Sequence, residues 1–275
     1  MTLSTIRNNP AKQKKVKTKK QKAIAATCAV AFWLLVWHVV SLCVGSELVL
    51  VSPVKVVQTL FTVLFDPDFL KTVWYSAARI LGGFFTALTL GTVLGWVASR
   101  FWVVETLLRP ITAVIKATPV ASFIILVLLW FSGKNLSVII SMLMVFPVIY
   151  MNVLEGIRSA DKKLLEMAQV FRLSVGKKLL YIYLPAVAPF FVSACSVSLG
   201  LCWKSGIAAE VIGTPDGSIG AVFYQAKIFL QTSELLAWTV VVVAVSVAFE
   251  KLFMFLLRLV LKKLKMEDVL NGKRA

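Results

Sequence analysis

Residues 166–185 read EMAQVFRLSVGKKLLYIYLP, a charged, amphipathic island set between long apolar segments. A helix needs about 20 mostly apolar residues to cross a bilayer, and runs of that kind recur on both sides of the island. The island is therefore a connection outside the hydrocarbon, and its neighbours are membrane spans. With 59% hydrophobic and 16% charged residues in 275, the chain is not a soluble globule; it reads as an all-α, multi-span membrane protein. A formal net charge of +17 would suggest a nucleic-acid partner in a soluble protein. Here the basic residues gather between spans and at both ends, which is a topology signal and points away from nucleic acid.

Working outward, about six spans are expected, near 23–44, 74–99, 110–131, 136–154, 186–212 and 234–257. A basic, disordered tail over 1–22 and a basic tail over 258–275 flank a transmembrane domain of 23–257, and the cytoplasmic island occupies 158–185. The first span follows a basic leader as a signal peptide would, but it is too long for a typical signal core and is taken as retained. Pro53, Asp66, Pro67 and Asp68 mark an outer connection with one surface helix. Gly91 and Gly95 in the second span form a GxxxG pair, which predicts close packing inside a bundle. Arg100, Glu105 and Arg109 suggest a short inner loop, and Ser132 to Asn135 a tight outer turn. Pro119 predicts a kink in the third span, and Pro147 lies inside the fourth. A further outer loop is expected over 213–233, around Pro215, Asp216 and Gly217.

Counting basic residues orients the chain. With both termini inside, 22 Lys or Arg fall in tails and inner loops and four outside, namely Lys55, Lys71, Lys134 and Lys227. Both termini are thus expected in the cytoplasm. Cys28, Cys43, Cys195 and Cys202 lie in or beside apolar segments without metal-binding spacing, and the single histidine, His38, excludes a multi-histidine metal site or a histidine triad. No metal site is expected.

Within the island, Ser159 or Asp161 can cap a helix of about three turns. Leu164, Leu165, Ala168 and Phe171 share one side, opposite Lys162, Glu166 and Gln169. Such a helix either lies on the membrane surface or docks its polar face in a groove on a soluble partner. Gly176 and the pair Lys177 and Lys178 lead into the next span.

Glu166, Ala168, Ile182, Leu184 and Pro185 keep the register of E-A-A-x(3)-G-x(9)-I-x-L-P, and so the chain resembles the membrane subunits of ABC importers. Met167 and Arg172 depart from that pattern. The arginine replaces a glycine that permits a turn of positive φ, leaving Gly176 to take over the break. Serine and proline at Ser52 and Pro53, TVWYSAARILGGF at 72–84, TPVASFIILVLLWFSGK at 118–134 and GLCWKSGIAAEVIG at 200–213 resemble the subgroup importing nitrate, sulfonates, taurine and thiamine precursors.

The resemblance implies a type I permease fold in the inner membrane of a prokaryote and a coupling helix that docks an ABC ATPase. Its docking residues would be Asp161, Glu166, Ala168, Arg172, Ser174 and Gly176, with Ile182, Leu184 and Pro185 closing the motif. It also implies a second permease copy, two ATPase subunits and an outer substrate-binding protein. No G-x(4)-G-K-[ST] occurs, so ATP and Mg would sit on the partner, and this chain is expected to be a transport subunit without catalysis or a cofactor of its own. Charges within spans are costly, at about 3 kcal/mol near the centre. Lys116, Arg79 and Glu250 read as snorkelling or paired groups. Trp203, Lys204 and Glu210 are candidates for the translocation path, with Lys204 favouring an anionic solute and Glu210 reading more readily as a structural bond to a neighbouring helix. The competing class is a self-sufficient secondary transporter or channel, for which the spans offer few acidic coupling residues.

Overall fold

The computed structural model describes residues 19–264, whose regular structure is entirely helical. Most of the two basic tails lies outside the described residues. The chain divides into two compact units, residues 1–55 and 56–275. The first holds α1 (Lys19–Val44), which ends at Gly45 in the left-handed region, φ +64°. Ser41 within it turns its hydroxyl back to donate to the His38 carbonyl at 2.8 Å, which satisfies that donor inside the helix. The surface helix expected between the first two spans is α2 (Pro53–Leu64), with proline at its first position, where no helical N–H is needed.

The second unit is built on α3 (Phe69–Arg100), α6 (Gly133–Arg158) and α9 (Leu184–Gly213), with α6 running along both of the others. The GxxxG pair explains one of these contacts. A Cβ on Gly91 would lie 3.0 Å from Ile149, and one on Gly95 3.0 Å from Val153, so α3 and α6 meet at a distance that any larger residue would crowd. Between helices in lipid, where burial from water adds nothing, such contact is itself a main source of stability. Ile80, Phe84, Ile149, Cys195 and Trp203 fill the interior. Across it, Phe253 of α11 (Thr232–Lys263) meets Phe84 edge-to-face at 5.3 Å.

Among the described residues, five helices are long and apolar enough to cross a membrane. A sixth span results if α4 (Trp102–Ala117) and α5 (Val120–Leu128) count as one broken element. The expected kink at Pro119 is a full break of 106°. Thr118 is extended there (φ −82°, ψ 133°), because the ring of a following proline disfavours helical backbone. Two expected loops are corrected. The inner loop over Arg100, Glu105 and Arg109 shrinks to Phe101, and α4 takes up Glu105, Arg109 and Pro110. The outer loop over 213–233 contains α10 (Ile219–Ile228): Pro215, Asp216 and Gly217 do make a turn, but Ser218 then accepts the Ala221 N–H at 3.0 Å and starts a helix.

Candidate functional site

The island folds as α7 (Lys162–Val170), the single turn α8 (Val175–Lys178) and a π-turn over Leu179–Tyr183 that runs into α9. Asp161 is the N-cap of α7, its carboxylate accepting the Lys163 N–H at 2.8 Å, while Ser159 donates instead to the Gly156 carbonyl. At the other end of α7 the chain turns through Arg172 at φ 51°. Arg172 N–H bonds to Gln169 O at 3.0 Å and Leu173 N–H to Ala168 O at 2.9 Å, the paired closure of a Schellman turn. The tight turn therefore stays where the motif has glycine, and arginine carries the strain of the left-handed region, about 1–2 kcal/mol. The expectation that Gly176 takes over the break is corrected: it sits inside α8, with open space where a Cβ would be.

The face of α7 is also corrected. Ala168 has no exposure and is sealed against Ala160 and Ile182, with Leu165 at the edge of the cluster. Leu164 and Phe171, expected on the same buried stripe, are 43% and 71% exposed, and Met167 and Val170 join them in an open apolar ridge. Ala168 is the smallest of the four apolar side chains, so α7 sits down over it and tilts the larger ones outward. Asp161, Glu166, Arg172, Ser174 and Gly176 are exposed around that ridge. Of the motif's end, Ile182 is buried under α7, Leu184 packs with Ala188 and Leu261, and Pro185 is half-buried. Pro185 has no N–H to give the Tyr181 carbonyl, and the turn before it widens, Leu184 N–H bonding to Leu179 O five residues back.

The three path candidates part company. Trp203 is 2% exposed within the core and Glu210 is wholly buried, whereas Lys204 is exposed. Glu210 Oε2 accepts the Ser76 hydroxyl at 2.6 Å, and Ser76 Oγ in turn accepts the Ile219 N–H at 2.9 Å. One carboxylate thus ties α9, α3 and the start of α10 together. A Cβ on Gly220 would overlap Glu210, which requires glycine there. Ser76 and Gly220 were missed in the sequence, since nothing in it couples positions so far apart. Among the other charges in spans, Ser196 donates to Glu250 at 2.9 Å and Arg79 stacks 4.5 Å from the Tyr75 ring centroid. Among the described residues no cluster could hold a metal ion.

Sequence reasoning also passed over α4. Glu105, Arg109, Thr112 and Lys116 recur at helical spacing and line one cavity with Tyr150, Glu155 and Arg158 of α6, where Arg158 pairs with Glu105. That spacing was the signal available.

This arrangement, an apolar multi-helix bundle with a capped amphipathic helix standing at one end, fits a membrane-embedded subunit. Comparison with known proteins agrees. The chain is 29% identical over 216 residues to SsuC, an aliphatic sulfonates transport permease protein of Bacillus subtilis (strain 168), across 78% of each chain. It is 27% identical over 220 residues to the taurine transport system permease protein TauC of Escherichia coli (strain K12), covering 78% of this chain and 80% of that one. To the nitrate import permease protein NrtB of Synechocystis sp. it is 25% identical over 214 residues, 74% and 76% of the two chains. Residues 87–266 match the family described as binding-protein-dependent transport system inner membrane component, and the chain accordingly belongs to that family, as a multi-pass permease of an ABC importer in the inner membrane.

Proposed function

We propose that this permease imports a small oxyanion of the sulfonate, taurine or nitrate kind, and that α7 is the helix through which it is driven. The observation that carries the second part is the apolar ridge of Leu164, Met167, Val170 and Phe171, exposed at the end of the bundle and rimmed by Glu166 and Arg172. An exposed apolar ridge with a charged rim has the composition of a docking surface, in which apolar anchors supply affinity and rim charges supply orientation. ATP and Mg would be held by the ATPase that docks there, because this sequence has no phosphate-binding loop. On this reading the α7 end and both termini are cytoplasmic, two copies enclose the path, and a substrate-binding protein delivers solute at the α10 end. Ala168 would act by seating α7, not by touching the partner. Of Trp203, Lys204 and Glu210, Lys204 is the one whose side chain a passing solute can meet; the other two hold the helices in register.

Co-purification with the cognate ATPase subunit tests the docking. Glu166→Lys and Phe171→Asp are each expected to lower ATPase retention at least tenfold while leaving the permease monodisperse. Undiminished retention in both variants would overturn docking through α7, and solute uptake into liposomes by the purified chain alone without nucleotide would overturn the ATP-driven reading in favour of a self-sufficient carrier.

A further inference from the structure

The cavity between α4 and α6 has a volume of about 580 Å³, within the roughly 300–1,000 Å³ usual for small-molecule sites. It is lined by two kinds of surface. Arg109 and Lys116 of α4 supply cations, and Ala113, Ala117, Met151 and Leu154 supply an apolar floor. Neither cation forms an ion pair among the described residues, in contrast to Arg158, which is occupied by Glu105. Set against Glu155, which also lines the cavity, Arg109 and Lys116 leave it with a net positive charge.

Lys116 lies well along its helix. The sequence puts it near the inner end of a span, but α4 begins at Trp102, and at about 1.5 Å per residue Lys116 lies roughly 20 Å along the axis. It stands in the last turn of α4, beside the break at Pro119, where the helix dipole favours a cation. Arg109 and Lys116 are both exposed to the cavity side without a carboxylate partner among the described residues, and an unpaired cation on a membrane element marks an ion or substrate pathway.

We infer that this cavity binds an oxyanion bearing a short apolar tail, with Arg109 and Lys116 holding the anionic group and the α4 and α6 floor taking the tail, and that it is a station of the transported solute. The assignment rests on the importer reading for its solute but not for its chemistry. Arg109 offers a planar fork suited to an oxyanion and Lys116 a point charge farther along α4. An anionic lipid headgroup has the same chemistry, so the test separates the two sources.

The full chain is placed in nanodiscs of phosphatidylcholine, and binding of 1-butanesulfonate is read by saturation-transfer NMR with butylammonium as the opposite-charge probe. Sulfonate signal without butylammonium signal is expected. The Arg109→Met, Lys116→Met pair is expected to lower the sulfonate signal at least fivefold, and Lys116→Arg to retain it. Arg109→Glu with Lys116→Glu is expected to exchange the preference, a gain that misfolding cannot produce. Equal sulfonate signal in wild type and the Met pair, or no exchange of preference in the Glu pair, overturns the site. If phosphatidylglycerol in the discs abolishes the sulfonate signal, the resident anion is a lipid headgroup and the solute assignment falls. No ATPase enters this measurement, so sulfonate binding through Lys116 in a chain that retains no ATPase would sink the importer reading and leave the site standing.

Discussion

The two ends of the bundle hold their connecting segments in different ways. At the α10 end, a buried carboxylate does it: Glu210 reaches Ser76 on α3, and through it the first backbone N–H of α10, with Gly220 packed so closely that no side chain fits. At the α7 end, three small apolar contacts among Ala160, Ala168 and Ile182 do it, and the turn beyond is left-handed through an arginine. The first device is costly to disturb, because each buried polar group depends on another for its partner. The second is cheap to disturb and leaves the larger apolar side chains free. Under the proposed docking, this asymmetry leaves one end fixed to the bundle and the other seated lightly enough to be grasped.

If that contrast is correct, substitutions should sort by end. The largest effect is expected from Gly220→Leu, whose side chain would overlap Glu210; folded, monodisperse protein should be lost in size-exclusion chromatography. Glu210→Ala strands the Ser76 hydroxyl in the interior at about 1–3 kcal/mol, and should lower the melting temperature in detergent by about 5 °C. A melting temperature unchanged by that substitution would show that the carboxylate holds nothing. At the other end, Ala168→Leu should lift α7 off Ile182 and reduce ATPase retention about tenfold, equivalent to about 1.4 kcal/mol, with bundle melting unmoved. Global destabilisation by this variant would erase the distinction between the ends. The smallest effect belongs to Arg172→Gly, which relieves the left-handed strain against glycine's greater unfolded freedom, a net gain of about 0.5 kcal/mol, visible as roughly twofold slower proteolysis after α7. Faster cleavage would mean that the arginine side chain contributes more than its backbone costs.

Sequence periodicity exposed the helical bundle because bilayer-length apolar runs admit few other readings. Pro119 also announced itself, though as a kink, since the sequence does not say whether neighbours will re-satisfy the freed backbone or let it part. What stayed hidden depended on tertiary partners. Glu105 and Arg109 looked like loop residues until α6 supplied the cavity that lets a helix carry them. On a wheel, Leu164, Ala168 and Phe171 are equivalent; only contact with Ile182 selects the smallest for burial. Lys204 drew notice as a cation in a span, yet Lys116 lines the cavity between α4 and α6, which no spacing reveals.

The π-turn before Pro185 acts as a rotational offset. Each residue of an α-helix advances the chain by 100°, and one wide turn absorbs a residue without advancing it in step. The phase between α9 and everything leading into it is therefore set at Leu179–Tyr183, and with it the compass bearing of α7 on the bundle. Deleting Leu180 would keep every side chain of the apolar ridge and aim it elsewhere, which cysteine cross-linking between positions 168 and 182 would register as lost proximity.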